Sequence, residues 1–230
     1  MKTILIALVL AFSIGNLYPV VALEKPIALS PLSEWQPVTF RRIPKPTQFL
    51  VQPDGSLLIR AEKSGASGLT HKTAFEVHQT PLFSWDWRVE QVFEHGELGK
   101  EKSNDAPLRV VVIFDYDPKA ATLLERWMYG VYHKVYHRYP PFRSLNYVWG
   151  NGPETLGLMT DNQPLKTRVF ILKTGPSKTW DSRTIDIEAD YQKAFGRKAP
   201  RFARIGLMSN GDNTGETAIS FVRHLRVHSR

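Results

Sequence analysis

Phe83–Glu90 reads FSWDWRVE, and its alternation decides the fold. Phe83, Trp85, Trp87 and Val89 occupy one set of alternate positions; Ser84, Asp86, Arg88 and Glu90 occupy the other. A period of two places the aromatic set on one face of a strand and the charged set on the opposite face. The charges suit cross-strand ion pairs, the ordinary use of such a face. Outward from this strand the pattern recurs. Arg109–Phe114 (RVVVIF) is apolar at both sets of positions, as a central strand covered on both sides would be, and Arg168–Lys173 looks the same. Ser56–Ala61 reads as a strand after the turn Pro53-Asp-Gly55. Thr184–Tyr191 alternates again, and Ile205–Met208 and Ala218–Val227 close the series. Many strands separated by turn signals predict a mainly β protein, an antiparallel β-sandwich of jelly-roll type.

Two helical pieces interrupt the strands. Asp117 suits an N-cap and Pro118 the first helical position, where a missing N–H costs nothing. From Lys119 to Tyr139, Ala120, Leu124, Trp127, Met128, Val131 and Val135 share one side at helical spacing. Lys119, Thr122, Arg126, His133 and His137 share the other, and Pro140 ends the run. Lys134 and Arg138 flank the apolar arc, a pattern that an interfacial membrane helix also shows. Burying a tryptophan and several aliphatics contributes roughly 1.5–3 kcal/mol each, which favours a helix packed on the sandwich through Trp127. Trp127→Ala is then expected to cost about 3–5 kcal/mol. A shorter helix is expected at Asp190–Phe195, stopped by Gly196.

Met1 and Lys2 precede an apolar run from Ile4 to Gly15, then Pro19 and the small residues Val20 and Ala22. That is the pattern of a signal peptide over residues 1–22, cleaved after Ala22, and it predicts a periplasmic or secreted protein. No later stretch reaches the roughly 20 apolar residues that a membrane span needs. Leu23 to Pro46 is proline-rich and reads as an extended lead-in, with 47–230 forming a single β-sandwich domain. The 230 residues contain no cysteine, so disulfides, cysteine-ligated metals and a lipid-modified cysteine are excluded. The formal net charge is +8, with basic residues spread from Arg41 to Arg230. Nucleic-acid binders concentrate such charge on one stripe, so the spread argues against that partner. Anionic lipid, lipopolysaccharide or acidic polysaccharide fits a cationic exported protein better.

Three constellations carry candidate chemistry. His133 and His137 have the i,i+4 spacing of zinc sites, but Lys134 follows the first and Arg126 shares the stripe. Cationic neighbours oppose a divalent metal, so no metal and no cofactor is implied. Asn210-Gly-Asp-Asn-Thr-Gly215 alternates oxygen side chains as a calcium loop does, yet Phe221 stands where a bidentate Glu would be needed. A hairpin connection explains it, with Gly211 and Gly215 at positive φ and Asp212 and Asn213 bonding local backbone; a looser calcium site shared with another loop is the alternative. Asp186, Glu188 and Asp190 would share one face of a strand. Laminarinase-like jelly rolls carry Glu-x-Asp-x-Glu in this way, whereas this chain has Asp-x-Glu-x-Asp. The trio reads better as a solvent-facing acidic strand than as a glycosidase pair. No nucleophile elbow, P-loop, dinucleotide fingerprint or H-E-x-x-H is present.

Arg109–Asp117 (RVVVIFDYD), Leu145–Gly150 (LNYVWG), Ile187–Gly196 (IEADYQKAFG) and Ile205–Gly215 (IGLMSNGDNTG) jointly resemble the bacterial exported family catalogued as domain of unknown function 3047. The resemblance runs from about Leu57 to the C-terminus. It implies a compact β-rich domain exported by Gram-negative bacteria, and no activity from which catalytic residues could be carried over. Asp115, Asp117, Asn146, Tyr147, Trp149, Asp190, Phe195, Gly196, Asp212, Asn213, Thr214 and Gly215 match its shared blocks. The expected role is a non-catalytic binding module for a saccharide or another polar envelope ligand. Trp149 would stack on it beside Asn146 and Tyr147, with Asp115, Asp117, Asp212 and Asn213 as further polar candidates, although a strand tryptophan is more often core. The alternatives are a polysaccharide-active enzyme using Asp186, Glu188 and Asp190, and a structural or membrane-surface protein using the basic Trp/Tyr-rich helix.

Overall fold

The computed structural model describes residues 23–40, 43, 45–137, 139–159 and 167–230. The expected signal peptide lies outside the described residues. Two sheets face each other. The smaller has the order β12 (Ser177–Asp186), β7 (Leu82–Gln91), β14 (Ala218–His228), β4 (Leu57–Ala61) and β3 (Gln48–Val51), with β1 (Glu24–Pro26) also on β14. The larger has the order β10 (Gly157–Leu158), β11 (Thr167–Thr174), β9 (Arg143–Gly150), β8 (Ala106–Phe114), β13 (Phe202–Asn210), β5 (Ala66–His71) and β2 (Trp35–Thr39), with β6 (Phe75–Glu76) on β13. The β-sandwich read from alternation is the fold.

Phe83, Trp85, Trp87 and Val89 are all buried, and they meet the larger sheet ring to ring. Trp85 lies 5.7 Å from Tyr147 and Trp87 lies 5.4 Å from Trp149, between ring centroids. On the other face of β7, Asp86 accepts from Ser182 at 2.6 Å and Arg223 at 3.2 Å, and Arg88 spans Trp180 and Phe221. One strand thus carries a dry aromatic side and a charged side, as its period requires. β8 occupies the middle of the larger sheet. Leu108, Val110, Val112 and Phe114 enter the shared core, and Val111 and Ile113 face outward. Burying each large apolar side chain contributes roughly 1.5–3 kcal/mol, so this cysteine-free chain is held by its core.

The structure departs from the sequence reading in five places. The β9–β11 pair is parallel, within sheets that are otherwise antiparallel. Parallel neighbours need a long return, so the chain does not pass from β9 to β11 by a tight hairpin. The expected lead-in is not free of the sandwich: Glu24–Pro26 and Trp35–Thr39 are woven into the two sheets as β1 and β2, and Trp35 is buried and donates its indole N–H to Ala28 O at 2.9 Å. The long helix, α1 (Leu123–Tyr136), is capped by Thr122 and Glu125 in a reciprocal capping box rather than by Asp117. Asp117 instead closes the preceding turn by accepting from the Lys119 amide at 2.8 Å.

The apolar arc of α1 faces solvent. Leu124, Trp127 and Val135 are 66%, 68% and 62% exposed, while Tyr129, on the opposite side, is 2% exposed. Tyr129 stacks on Tyr116 at 4.4 Å and donates its hydroxyl to Pro141 O at 2.9 Å. Helical spacing specifies which residues share a side, not what covers that side. Trp127 is therefore no core residue. The last departure is α2 (Ile187–Phe195), which begins three residues before the expected start and ends at Gly196 in the left-handed conformation, φ 67°.

Candidate functional site

The acidic trio is divided by the start of α2. Asp186 is the last residue of β12 and the N-cap of the helix, accepting from the Ala189 amide at 3.0 Å. Glu188 and Asp190 sit in the first turn, where the helix dipole favours acids. Arg230 reaches Asp186 at 2.8 Å and Glu188 at 3.1 Å, and His78 lies 2.6 Å from Glu188. Burial works against the Asp186 charge, but the Ala189 amide and Arg230 outweigh it and hold its carboxyl below the usual range. Asp190 accepts from the Tyr147 hydroxyl at 3.0 Å, and burial raises its pKa. The expected one-faced acidic strand is thus a helix cap and a half-buried tether. Two-residue spacing puts side chains on one face only while the chain stays extended.

Tyr147 and Trp149 are fully buried between the sheets, and Trp149 donates its indole N–H to Gly175 O at 2.7 Å. Neither ring offers a face for stacking, which corrects the expectation placed on them. Their strand neighbour Asn146 points to the opposite side, away from the sandwich core. Asp212 and Asn213 belong to a loop organised by an acid the sequence reading passed over, Asp105. That carboxylate is fully buried and accepts from Asn213 Nδ2, the Thr214 amide and the Thr214 hydroxyl at 2.7–2.8 Å. Gly215 takes positive φ, 72°, as expected. Gly211 is needed for space instead, since a Cβ there would lie 2.6 Å from the Phe93 ring. His137 ends α1 in the left-handed conformation and the His133 ring stacks on Tyr139 at 4.4 Å. Among the described residues no three metal-ligating side chains gather.

What the sheet does offer is a groove on the outer side of the larger sheet. One transverse row crosses five strands: Asn146 pairs with Val111, Val111 with Gly206, Gly206 with Thr70, and Thr70 with Gln36. Gly206 leaves the middle of that row without a side chain, and Gly68 does the same for the next row. A strand glycine marks a close approach of something else to the backbone. A cavity of about 330 Å³ lies over this floor, with Val111, Ile113 and Pro141 as its apolar surface. On one side Ser144 lies 3.1 Å from Thr167, between hydroxyl oxygens, and accepts from Asn146 Nδ2 at 3.1 Å.

A second cavity of about 520 Å³ continues the groove past Val38, Thr70, Ile113 and Pro141, which line both. Its walls carry Asp115, Arg204, His71, Tyr116 and Tyr139. The Arg204 guanidinium is bound to Asp115, yet burial wins and raises the Asp115 pKa. Tyr139 is 48% exposed and packs on Tyr116 at 4.7 Å and on the His133 ring at 4.4 Å, so a partly exposed ring in the groove wall is held by two others. The two cavities fall within the range of small-ligand sites. Of the residues singled out in the sequence, the groove gathers Asn146 and Asp115; Asp117, Tyr147, Trp149, Asp212 and Asn213 lie outside its lining.

The family model described as "Protein of unknown function (DUF3047)" matches residues 33–226. No curated protein matches the chain. Among solved structures, a family 11 carbohydrate-binding module of a cellulosomal cellulase of Clostridium thermocellum is similar at TM-score 0.44 and 9% identity, with 91% of this chain and 96% of that one covered. A family 29 carbohydrate-binding module is similar at TM-score 0.40 and 12% identity, covering 91% and 90%. Another family 29 module, from Piromyces equi, is similar at TM-score 0.37 and 9% identity, covering 92% and 93%.

Proposed function

The chain belongs to the DUF3047 family, and we propose that it binds a saccharide, without cleaving it, in the groove on the outer side of the larger sheet. The observation that carries this reading is the Asn146–Val111–Gly206–Thr70–Gln36 row, dipped at its centre and edged by unlike groups. A pyranose has apolar C–H faces and a polar hydroxyl rim. Val111, Ile113 and the exposed Tyr139 ring suit the faces; Asn146, Ser144 and Thr167 suit the rim. Glycoside hydrolysis needs two carboxyls, about 5–5.5 Å apart for retention or 6.5–9.5 Å for inversion. Asp115 is the single acid among the described residues lining the groove, and Arg204 holds it. The Asp186–Glu188 pair is engaged elsewhere, by Arg230 and the helix start.

We place this binding in the periplasm or outside the cell, on the strength of the Met1–Ala22 pattern. Affinity electrophoresis in gels cast with soluble glucans, mannans and acidic polysaccharides tests the binding. One of them should retard the wild type, and Tyr139→Ala and Asn146→Ala should each weaken that retardation by about tenfold, near the 1.4 kcal/mol that a factor of ten represents. Glu188→Gln should retard like the wild type. Retardation unaffected by either groove variant, or release of reducing ends, would overturn the reading.

A further inference from the structure

α1 presents a second surface that the groove does not use. Leu123, Leu124, Trp127, Met128, Val131 and Val135 are all exposed, Leu123 at 82%. At about 100° per residue they cover roughly 140° of the helix circumference. Tyr129 and Glu125 fall on the opposite side, where Tyr129 packs on Tyr116 and Glu125 holds Arg143 at 2.6 Å. The helix is fixed to the sandwich by its back, and its apolar arc points away from the protein. Singly scattered exposed hydrophobics need no explanation, but a contiguous arc of six does.

The charges at the arc are of one sign. Arg126 is exposed along its edge, Lys134 is exposed within it in the last turn of α1, where a long side chain can reach past the apolar residues, and Lys119 is exposed in the turn before α1. The only acid in α1, Glu125, is taken by Arg143 and the Thr122 cap. The whole chain carries a formal +8. An apolar arc edged by cations complements a surface that offers hydrocarbon beneath negative headgroups. Two copies joined through this arc would instead bring Arg126 and Lys134 against their counterparts. Spanning is excluded for this element, because α1 has 14 residues and no described helix is long and apolar enough to cross a membrane. We propose that α1 docks the protein flat on an anionic lipid surface, with Trp127 and Val131 in the headgroup boundary.

Co-sedimentation with vesicles tests this. Vesicles of phosphatidylcholine alone are compared with vesicles containing about one-quarter phosphatidylglycerol, which supplies the negative surface. Wild-type protein should bind the anionic vesicles at least about tenfold more tightly, and salt on the order of 0.5 M should weaken that binding. Tryptophan fluorescence should shift to the blue on binding and the shift should be absent in Trp127→Phe, since Trp35, Trp85, Trp87 and Trp149 are already buried and Trp180 is half-buried under Arg88 and Arg223. The double variant Trp127→Glu, Val131→Glu should keep its melting temperature and lose vesicle binding. Three results would overturn the proposal: no binding of wild type to anionic vesicles at low salt, equal binding by the double variant, or a wild-type dimer that the variant dissociates and that ignores vesicles.

Discussion

Thr214 gives both its amide and its hydroxyl to one oxygen of Asp105, at 2.7 and 2.8 Å. Asp105 immediately precedes β8 and Thr214 lies in the loop between β13 and β14. A single buried carboxylate therefore ties the middle strand of the larger sheet to the turn that leads into the smaller one. Burial lowers the pKa of the neighbouring Arg109 guanidinium to about 10, and Asp105 is the chief charge opposing that shift.

Removing this carboxylate strips several buried donors of their acceptor and weakens the negative field on Arg109, whose Nε still donates to Asn210 Oδ1 at 3.0 Å. Asp105→Ala should cost about 3–5 kcal/mol, since it leaves more than one buried donor unsatisfied at about 1–3 kcal/mol each. Asp105→Asn keeps the shape but loses charge-assisted hydrogen bonds, worth about 1.5–3 kcal/mol. Urea midpoints measure both. Calcium should leave the wild-type midpoint unchanged, because Asn210, Asn213 and Thr214 direct their side chains to Asp105 and Asp212 is the loop's only acid; a calcium-dependent rise would show a metal site there.

Two tryptophans that look alike in sequence should behave oppositely. Trp149→Ala opens the core and should destabilise by about 3–5 kcal/mol. Trp127→Ala, on the exposed arc, should stay within about 0.5 kcal/mol of wild type. Equal losses in guanidinium melts would mean that the arc of α1 is covered.

The acid limb of stability should involve Asp181. Burial opposes its charge, but hydrogen bonds from Trp87 at 2.9 Å, Arg183 at 2.6 Å and Lys173 at 3.1 Å outweigh that and lower its pKa. A depressed carboxylate pKa contributes stability that is complete above the unfolded value, about 3.9 for Asp, and is lost as pH falls through the folded value. Melting temperature should therefore hold from neutrality down to about pH 5 and decline below about pH 4. Asp181→Asn should be less stable at neutrality and lose less of its stability over that acid range. An acid limb identical to the wild type would remove Asp181 from this role.

The dip in the groove can be filled at one atom. A Cβ on Gly206 would lie 3.1 Å from Ile113 Cδ1 and 3.3 Å from Leu69 O. Gly206→Val should cost about 1–3 kcal/mol through crowding. It should also abolish polysaccharide retardation in protein that is still folded by circular dichroism. Retained retardation would move the ligand elsewhere.

Much of the fold was legible because strand period and burial coincide wherever a strand has one core face. Phe83, Trp85, Trp87 and Val89 could be assigned inward for that reason. The site was less legible. Leu145–Gly150 is buried along its whole length, so its sequence does not say that Asn146 opens outward while Tyr147 and Trp149 fill the sandwich. The trio Asp186, Glu188, Asp190 carries a helix signal as well as a strand period: two further acids soon after an N-capping aspartate, with Gly196 closing the run, mark a helix start. For α1 the stripe was plain and its environment was not, since core and lipid select the same residues. Asp105 gave no pattern at all. Its donors lie more than a hundred residues away, and no local spacing reports such a contact.

β14 is the final strand of the chain, yet it lies inside the smaller sheet, between β7 on one side and β4 and β1 on the other. Until residues 218–228 have left the ribosome, β4 and β7 have nothing between them, and β1 waits for a partner some two hundred positions downstream. Contacts so remote in sequence are slow to form. The smaller sheet thus stays divided, open to proteases and chaperones, until this eleven-residue strand slides into place.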